Sequence, residues 1–210
     1  MAFDFKKEYK EFYLPPARPQ LVTVPAMNFL AVRGSGDPNT AGGAYQQALS
    51  VLYGLAFTLK MSPRAGYKME GFFDYVTPPL EGLWQQEGVS GMDYSRKADF
   101  NWISLIRLPD FVSRRDFAWA VEEAERKKKI SFSAAEFFTY EEGLCVQCLH
   151  LGPYDLEPAT VELMQEFAHS QGYAEDMDQG RLHHEIYLSD ARRCAPEKLK
   201  TVLRHPLRPA

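Results

Sequence analysis

The chain has 210 residues, of which 45% are hydrophobic and 25% are charged, a balance typical of a folded globular protein. Lys and Arg number 24 against 28 Asp and Glu, and the net charge of −4 argues against nucleic acid as the main partner. No stretch approaches the roughly 20 apolar residues that a membrane helix needs, and the first residues lack the apolar core of a signal peptide. With only three cysteines, we expect a soluble cytoplasmic protein that does not bind membranes.

The first half of the chain predicts alternating strands and helices. Strand-like segments at 21–24 and 28–34 lead into turn-forming residues at 34–39. A helix is predicted around 45–57, because apolar residues recur there at steps of three and four. Strands are predicted at 72–76 and 100–107, and a second helix at Ser113, which has the hydroxyl and the following acid of a capping box.

The second half repeats this order. A strand at 144–151 is followed by a turn, a helix around 161–167, a break at Gly172 and a strand at 183–188. We predict a last helix that begins near Pro196, with an apolar face formed by Leu199, Val202 and Leu203.

The repetition predicts the fold class. We expect an α+β protein built by tandem duplication of a β-α-β-β unit, with pseudo-repeats at about 20–130 and 140–208 in a single domain covering 1–210. An antiparallel sheet with helices packed on it would bury the apolar faces of both halves. A cleft between the two pseudo-twofold halves would be a natural place for a small molecule.

Three short motifs could suggest other chemistry, and each is incomplete. Cys145 and Cys148 form a C-x-x-C pair, but residues three apart in a strand point to opposite faces, beyond disulfide reach. Gly34-Ser35-Gly36 lacks the further residues of a nucleotide-binding loop, so a plain turn is the better interpretation. An H-x-E at 183–185 lacks the cysteines of a zinc deaminase, and we expect no metal site.

The strand at 183–188 holds the most informative side chains. Strand alternation places His183, Glu185 and Tyr187 on one face, and His184, Ile186 and Leu188 on the other. A carboxylate in mid-strand is either solvated, paired with a cation or held in a cleft, so Glu185 is a candidate from the pattern alone. Tyr53 lies in a predicted helix among apolar residues, where burial in the core is the default, and a facing carboxylate would satisfy its hydroxyl.

Nine blocks of sequence, spread over nearly the whole chain, resemble the GyrI-like small-molecule-binding proteins, in the stand-alone branch related to the cyclopropanoid cyclopropyl hydrolases. These blocks are FDFKKEYK at 3–10, GDPN at 36–39, LYGL at 52–55, VTPPLEGLW at 76–84, IRLPDFV at 106–112, EGLCVQ at 142–147, HLGPYD at 150–155, HHEIYLSD at 183–190 and KTVLRHP at 200–206. The resemblance implies the duplicated β-α-β-β unit known as the SHV fold, with an aromatic ligand cleft. Relatives fused to transcription regulators use a buried Glu among aromatic rings to bind bulky drugs, a role we carry over to Glu185.

The hydrolase branch implies a specific reaction, the addition of water to the strained cyclopropane of planar, duocarmycin-like DNA alkylators. Glu185 would activate the water as general base. A tyrosine would stabilise the phenolate that forms, with Tyr53 as the first choice and Tyr187 as the second. The substrate-binding residues would be Trp84, Trp102, Phe73, Tyr154 and His183.

The resemblance implies no cofactor, a planar aromatic ligand and either a monomer or a homodimer. Two other functions stay open at this stage. One is a non-catalytic module that sequesters drugs in the same cleft. The other is a partner-binding protein like the gyrase-inhibitory relatives.

Overall fold

The structure is a computed structural model that describes residues 2–89, 92–177 and 180–210. Five helices lie at Phe5–Glu8 (α1), Lys10–Tyr13 (α2), Ala44–Lys60 (α3), Arg114–Lys128 (α4) and Glu157–Ser170 (α5). Nine strands lie at Gln20–Val24 (β1), Met27–Ser35 (β2), Leu80–Gln86 (β3), Phe100–Arg107 (β4), Ala135–Tyr140 (β5), Gly143–Leu151 (β6), Tyr173–Glu175 (β7), His183–Tyr187 (β8) and Lys200–Pro209 (β9).

The strands form one antiparallel sheet whose order reflects the predicted duplication. The order is β1-β6-β9-β8-β3-β4-β2-β5, and β7 pairs with the end of β9. The first β-α-β-β unit supplies β2, α3, β3 and β4, and the second supplies β6, α5, β8 and β9. The inner six strands therefore read β6-β9-β8 and then β3-β4-β2, so the two units meet at the β8–β3 pair. The α+β fold class is confirmed, and the seam between the units lies in the middle of the sheet.

Helices cover one face of this sheet, and the N-terminal segment covers part of the other. Helices α3 and α4 contribute Leu52, Leu55 and Ala120 to a core with residues of β2 and β4. Helix α5 packs over β6 and β9 in the second unit. On the opposite face, Phe5 and Tyr13 pack against residues of β8 and β9. Strand β8 is thus buried on both faces.

The predicted last helix is wrong, because residues 200–209 form β9. Only a single 3-10 turn occurs, at Pro196–Lys198. Both faces of β9 are buried, so Val202 and Leu203 are both apolar and the alternation typical of a half-buried strand is absent. Val202 and Leu203 lie three and four positions after Leu199, which is also the spacing of residues on one face of a helix.

The strand predicted at 72–76 is also wrong. Tyr75 makes one isolated bridge to Phe3, and no other residue of the segment is in a strand. Strands β3, β5 and β7 and the two short N-terminal helices were not predicted. The predicted capping box is confirmed. The Ser113 side chain accepts a hydrogen bond from the Asp116 backbone N–H, and the Asp116 carboxylate accepts one from the Ser113 backbone N–H.

Gly34 belongs to β2, and the turn begins only after Ser35. A Cβ at Gly34 would lie 2.2 Å from the Trp102 ring, its cross-strand partner, so the glycine is needed to admit the indole. Cys145 and Cys148 lie on β6 as free, buried cysteines, as the strand geometry predicted. Among the described residues, no helix has the length and apolarity to cross a membrane.

Candidate functional site

Glu185 lies at the seam between the two units. It sits in the middle of β8, opposite Gly82 of β3 on one side and Leu203 of β9 on the other. Only 6% of the residue is exposed. Among the described residues its ion-pair partner is His183, whose Nε2 lies 3.1 Å from Glu185 Oε1. The carboxylate is therefore held inside the protein, and within the described part of the chain no arginine or lysine forms an ion pair with it.

A second buried carboxyl group lies beside it. Glu157 begins α5, is fully buried, and its Oε2 accepts a hydrogen bond of 2.8 Å from the Tyr94 hydroxyl. Burial, and then the charge of and hydrogen bonding with nearby Glu185, raise the pKa of Glu157 well above its usual range. Two carboxylates this close in a dry site cannot both be ionised at low cost. Burial and like charge therefore favour the protonated form of Glu157.

Sequence reasoning missed Glu157 for a physical reason. An acid in the first turn of a helix is favoured by the helix dipole whatever its function, and Pro158 follows it as a helix-start residue. Nothing in the sequence indicates that this acid faces the strand that carries Glu185, because the two are 28 positions apart.

Tyr187 and Trp84 lie next to Glu185 on the same face. The Trp84 Nε1–H donates a hydrogen bond of 2.9 Å to the Tyr187 hydroxyl oxygen. Burial, followed by the charge of Glu185, raises the pKa of Tyr187, so this tyrosine keeps its proton. Gly82 makes the contact possible, because a Cβ there would lie 2.5 Å from Trp84 Nε1 and 3.0 Å from the Tyr187 hydroxyl.

Further aromatic rings surround this pair. Tyr45 of α3 packs against both Trp84 and Trp102, with ring centroids 5.5 and 5.2 Å apart. Tyr154 meets Tyr187 edge to face at 5.9 Å, and burial, then the charge of Glu185, raises the pKa of Tyr154 to about 12. The rings come from both units, so the site is built across the seam.

His183 connects Glu185 to the far side of β9. Its Nδ1 lies 2.6 Å from His205 Nε2, and His205 Nδ1 contacts the Glu175 carboxylate of β7. Burial raises the pKa of Glu175, but the hydrogen bond with His205 outweighs it and the net shift is downward. Burial lowers the pKa of His205 below its usual value, against the opposing effect of Glu175.

Glu157, His183 and Glu185 each offer one ligand atom within 4.8 Å of the others, a spacing that could also suit a divalent metal ion. Both ring nitrogens of His183, however, are already in hydrogen bonds, one to Glu185 and one to His205. A metal would need one of those nitrogens. A metal ion bound here would have to displace the contact of His183 with Glu185 or with His205.

Two predicted site residues lie elsewhere. Tyr53 is not in the core: it is 45% exposed on α3. Burial raises its pKa, the nearby charge of Arg192 opposes that shift and the charge of Asp190 adds to it, so Tyr53 lies close to the loop after β8. Phe73 packs against Phe3 and Phe111, and it lines a separate surface cavity of about 400 Å³. The structure thus brings together Glu185, Tyr187, Trp84, Trp102, Tyr154 and His183, and neither Phe73 nor Tyr53 is among them.

The opposite face of β8 carries a different buried cluster. His184 Nδ1 lies 2.8 Å from Glu142, and its Nε2 lies 3.0 Å from Glu81. Arg204 Nη1 donates to Glu142 at 2.6 Å. Burial lowers the pKa of His184, but its carboxylate neighbours outweigh burial and raise the value to about 9. Burial likewise raises the pKa of Glu142, and His184 and Arg204 bring it down to about 2. We name these four residues the ionic cluster.

Solved structures similar to this chain come from Listeria innocua. One, described as a hydrolase, is 42% identical with a TM-score of 0.89 and covers 98% of this chain and 100% of its own. Another, described as an uncharacterized conserved protein, is 44% identical with a TM-score of 0.91 over the same shares. The C-terminal domain of EcmrR is 10% identical with a TM-score of 0.55, covering 92% of this chain and 98% of that domain, and shares the fold alone. No curated protein matches the chain.

The family comparison covers more of the chain than any single motif does. A family model described as the GyrI-like small molecule binding domain matches residues 17–208, which include every strand of the sheet and the whole seam. The chain therefore belongs to the GyrI-like family of small-molecule-binding domains.

Proposed function

We propose that this protein is a hydrolase that adds water to the cyclopropane ring of planar, electrophilic xenobiotics of the duocarmycin-like class, and so detoxifies them. The observation that carries the proposal is the buried pair of carboxyl groups, Glu185 and Glu157, set among aromatic rings at the seam. The description of a 42% identical Listeria innocua structure as a hydrolase supports it.

Glu185 is the proposed general base. Because burial and the nearby charge favour the protonated form of Glu157, we assign to Glu185 the role of accepting the proton of a water molecule. A positioned base of this kind contributes about 10²–10⁴ to the rate. Glu157 keeps a second negative charge out of the site.

The electron flow requires a hydrogen-bond donor at the other end of the substrate. As the water oxygen bonds to a ring carbon, a carbon–carbon bond of the cyclopropane breaks. Its electron pair moves through the conjugated dienone to the carbonyl oxygen, which becomes a phenolate and then takes a proton from solvent. Tyr187 is the proposed donor to that oxygen, because its hydroxyl accepts a hydrogen bond from Trp84 Nε1, which strengthens it as a donor. Tyr53, the first choice from sequence, is proposed to act only at the rim.

The rings would hold the substrate by stacking. Four rings form this aromatic cluster: Trp84 of β3, Trp102 of β4, Tyr45 of α3 and Tyr154 of the turn after β6. Planar aromatic ligands stack on the faces of such rings. No step needs a metal or organic cofactor, so we expect EDTA to leave the rate unchanged.

The experiment follows the loss of dienone absorbance when the protein is incubated with a cyclopropane-bearing alkylator of this class. Glu185→Gln should lower turnover by about 10²–10⁴ while ligand binding persists, because the amide keeps the shape but cannot take a proton. Glu166→Gln, a matched change on the exposed side of α5, should retain full activity. Unchanged turnover in Glu185→Gln would remove this residue from the mechanism.

Two tyrosine variants separate the candidate donors. Tyr187→Phe should lower turnover by about 10²-fold, in the range measured for losing one such donor, and Tyr53→Phe should have a smaller effect, mainly on KM. The reverse order would restore Tyr53 as the donor.

A drug-sequestering module is the second candidate, because a buried carboxylate among aromatic rings also suits a planar cation. In that case the wild-type protein would bind the alkylator, or a planar cationic dye, with no loss of dienone absorbance. The gyrase-partner function predicts instead that gyrase is retained by the immobilised protein.

A further inference from the structure

A continuous chain of side chains leads from Glu185 to the surface. It runs from Glu185 to His183 on β8, then to His205 on β9, and ends at Glu175 on β7. The first three side chains are 7%, 3% and 1% exposed, and Glu175 is 19% exposed. Gln165 of α5 donates to the other Glu175 oxygen at 2.8 Å, which holds this carboxylate in place.

We infer that His183, His205 and Glu175 form a path along which the proton taken up by Glu185 exchanges with solvent on the side of the sheet where β7 lies. This inference rests on the proposed function, because it concerns the proton that the base removes from water. His183 and His205 are positioning residues for that proton, and they do not touch the substrate.

The hydrogen bonds of the chain balance with one proton in each contact. After Glu185 has accepted a proton, it donates to His183 Nε2, His183 Nδ1–H donates to His205 Nε2, and His205 Nδ1–H donates to Glu175. Moving each proton across its own contact leaves Glu185 ionised and Glu175 protonated. Glu175 then releases the proton to water, and before the next transfer the two rings, which now carry their protons on Nε2, return to the starting tautomers by N–H exchange with water through local opening. No oxidant or other co-reactant is needed.

This series of hydrogen-bonded side chains differs from an ordinary pair of buried, hydrogen-bonded histidines because it has a carboxylate at each end, Glu185 at one and Glu175 at the other. Each imidazole uses both nitrogens, as a path requires, and the neighbours alternate between groups that can give and accept a proton. His184, in contrast, lies between two buried carboxylates, Glu142 and Glu81, and its raised pKa keeps both its protons in place. That histidine is held as a cation and cannot pass a proton on.

The first test is independent of turnover. The chain contains five histidines, so ring nitrogens of the ¹⁵N-labelled full-length protein can be assigned by long-range ¹H–¹⁵N correlation. Glu175→Gln should change the tautomer signals of His183, although the two residues do not touch, because the amide cannot accept a proton from His205. Glu166→Gln should leave them unchanged. Signals of His183 that do not respond to Glu175→Gln would overturn the path.

The second test uses the cyclopropane-bearing alkylator. Glu175→Gln should leave the first turnover unchanged and slow steady-state turnover by about tenfold, less than the 10²–10⁴ lost with the base itself. Added imidazole, a small proton carrier, should restore much of the rate. His205→Gln should behave in the same way if it folds, and Glu175→Gln decides the matter if it does not.

The outcomes separate the two proposals. A coupled NMR response with an unchanged steady-state rate would show that the path is not used. A wild-type protein that never consumes the alkylator would refute the proposed function, and the NMR result alone would then decide whether the path exists.

Discussion

Strand β8 separates two buried polar clusters in which the pKa values of the buried glutamates Glu157 and Glu142 shift in opposite directions. On the helix side, Glu185 and Glu157 lie close together beside His183, and the pKa of Glu157 is raised. On the other side, the ionic cluster sets the cations His184 and Arg204 against Glu142 and Glu81. Adjacent residues of one strand therefore serve two environments, because strand alternation sends them to opposite faces.

The two clusters differ in whether their buried carboxylates have cationic partners. In the ionic cluster every carboxylate has a cationic partner, and the pKa shifts of Glu142 and His184 favour the charged forms. In the other cluster, burial and like charge work against ionisation, and the pKa of Glu157 moves the opposite way. Compensated charges stabilise a fold, whereas poorly compensated titratable groups are typical of functional sites. The comparison thus assigns structure to one face of β8 and chemistry to the other.

The largest expected effect comes from breaking the compensated cluster. Glu142→Gln should lower the free energy of unfolding by about 3–5 kcal/mol, because it leaves His184 and Arg204 buried with a single carboxylate between them. The neighbouring exposed acid gives the matched control, and Glu141→Gln should change stability by less than about 0.5 kcal/mol. Urea denaturation of both variants measures the difference.

The stability lost in Glu142→Gln should depend on pH, because the pKa values of both Glu142 and His184 are shifted in the folded protein. The folded-state pKa of Glu142 is lowered to about 2, so its contribution is present above its ordinary value and is lost as the pH falls towards 2. The folded-state pKa of His184 is raised to about 9, so its contribution is present at acidic and neutral pH and is lost as the pH rises through 9. The gap between Glu142→Gln and wild type should therefore be widest near pH 5–6. A gap independent of pH would contradict the ionic origin of the loss.

Much of this comparison could be predicted from the sequence, because it depends on local periodicity. Alternation in the β8 segment places Glu185 and His184 on opposite faces, and the repeated order of elements predicts the duplicated sheet. The partners could not be predicted in this way. Glu157 and His205 come from other elements, and they meet Glu185 and His183 only once β9 pairs beside β8. Residues 200–209 were predicted as part of a helix because both faces of that strand are buried, which hid His205 and its contact with Glu175.

A substitution at Gly82 sharpens the comparison by disturbing only the helix side of the sheet. A Cβ there would lie within 2.5 Å of Trp84 Nε1, so Gly82→Ala should lower stability by about 1–3 kcal/mol through overpacking. It should also lower turnover, because Trp84 must move away from the Tyr187 hydroxyl. The ¹⁵N signals of His184 on the other face should stay in place.

A double-mutant cycle checks the cause of that loss. If Gly82→Ala acts by breaking the Trp84–Tyr187 hydrogen bond, Tyr187→Phe should lower turnover less in the Gly82→Ala protein than in wild type. Fully additive losses would show that the glycine acts through another contact.

The last expected effect is opposite in sign to the first. Glu157→Gln keeps a carbonyl oxygen for the Tyr94 hydroxyl and removes a carboxyl group that resists ionisation beside Glu185. Because the folded-state pKa of Glu157 is raised, the wild-type protein is favoured below the ordinary glutamate pKa and loses stability as the pH rises towards the raised value. The variant does not share this loss. Urea denaturation should show little difference near pH 4 and a variant that becomes more stable than wild type as the pH rises to 8. Turnover should nevertheless fall, because the proton that Glu157 holds is part of the proposed site. A variant less stable than wild type at pH 8 would place Glu157 with the compensated charges and remove the distinction between the two faces.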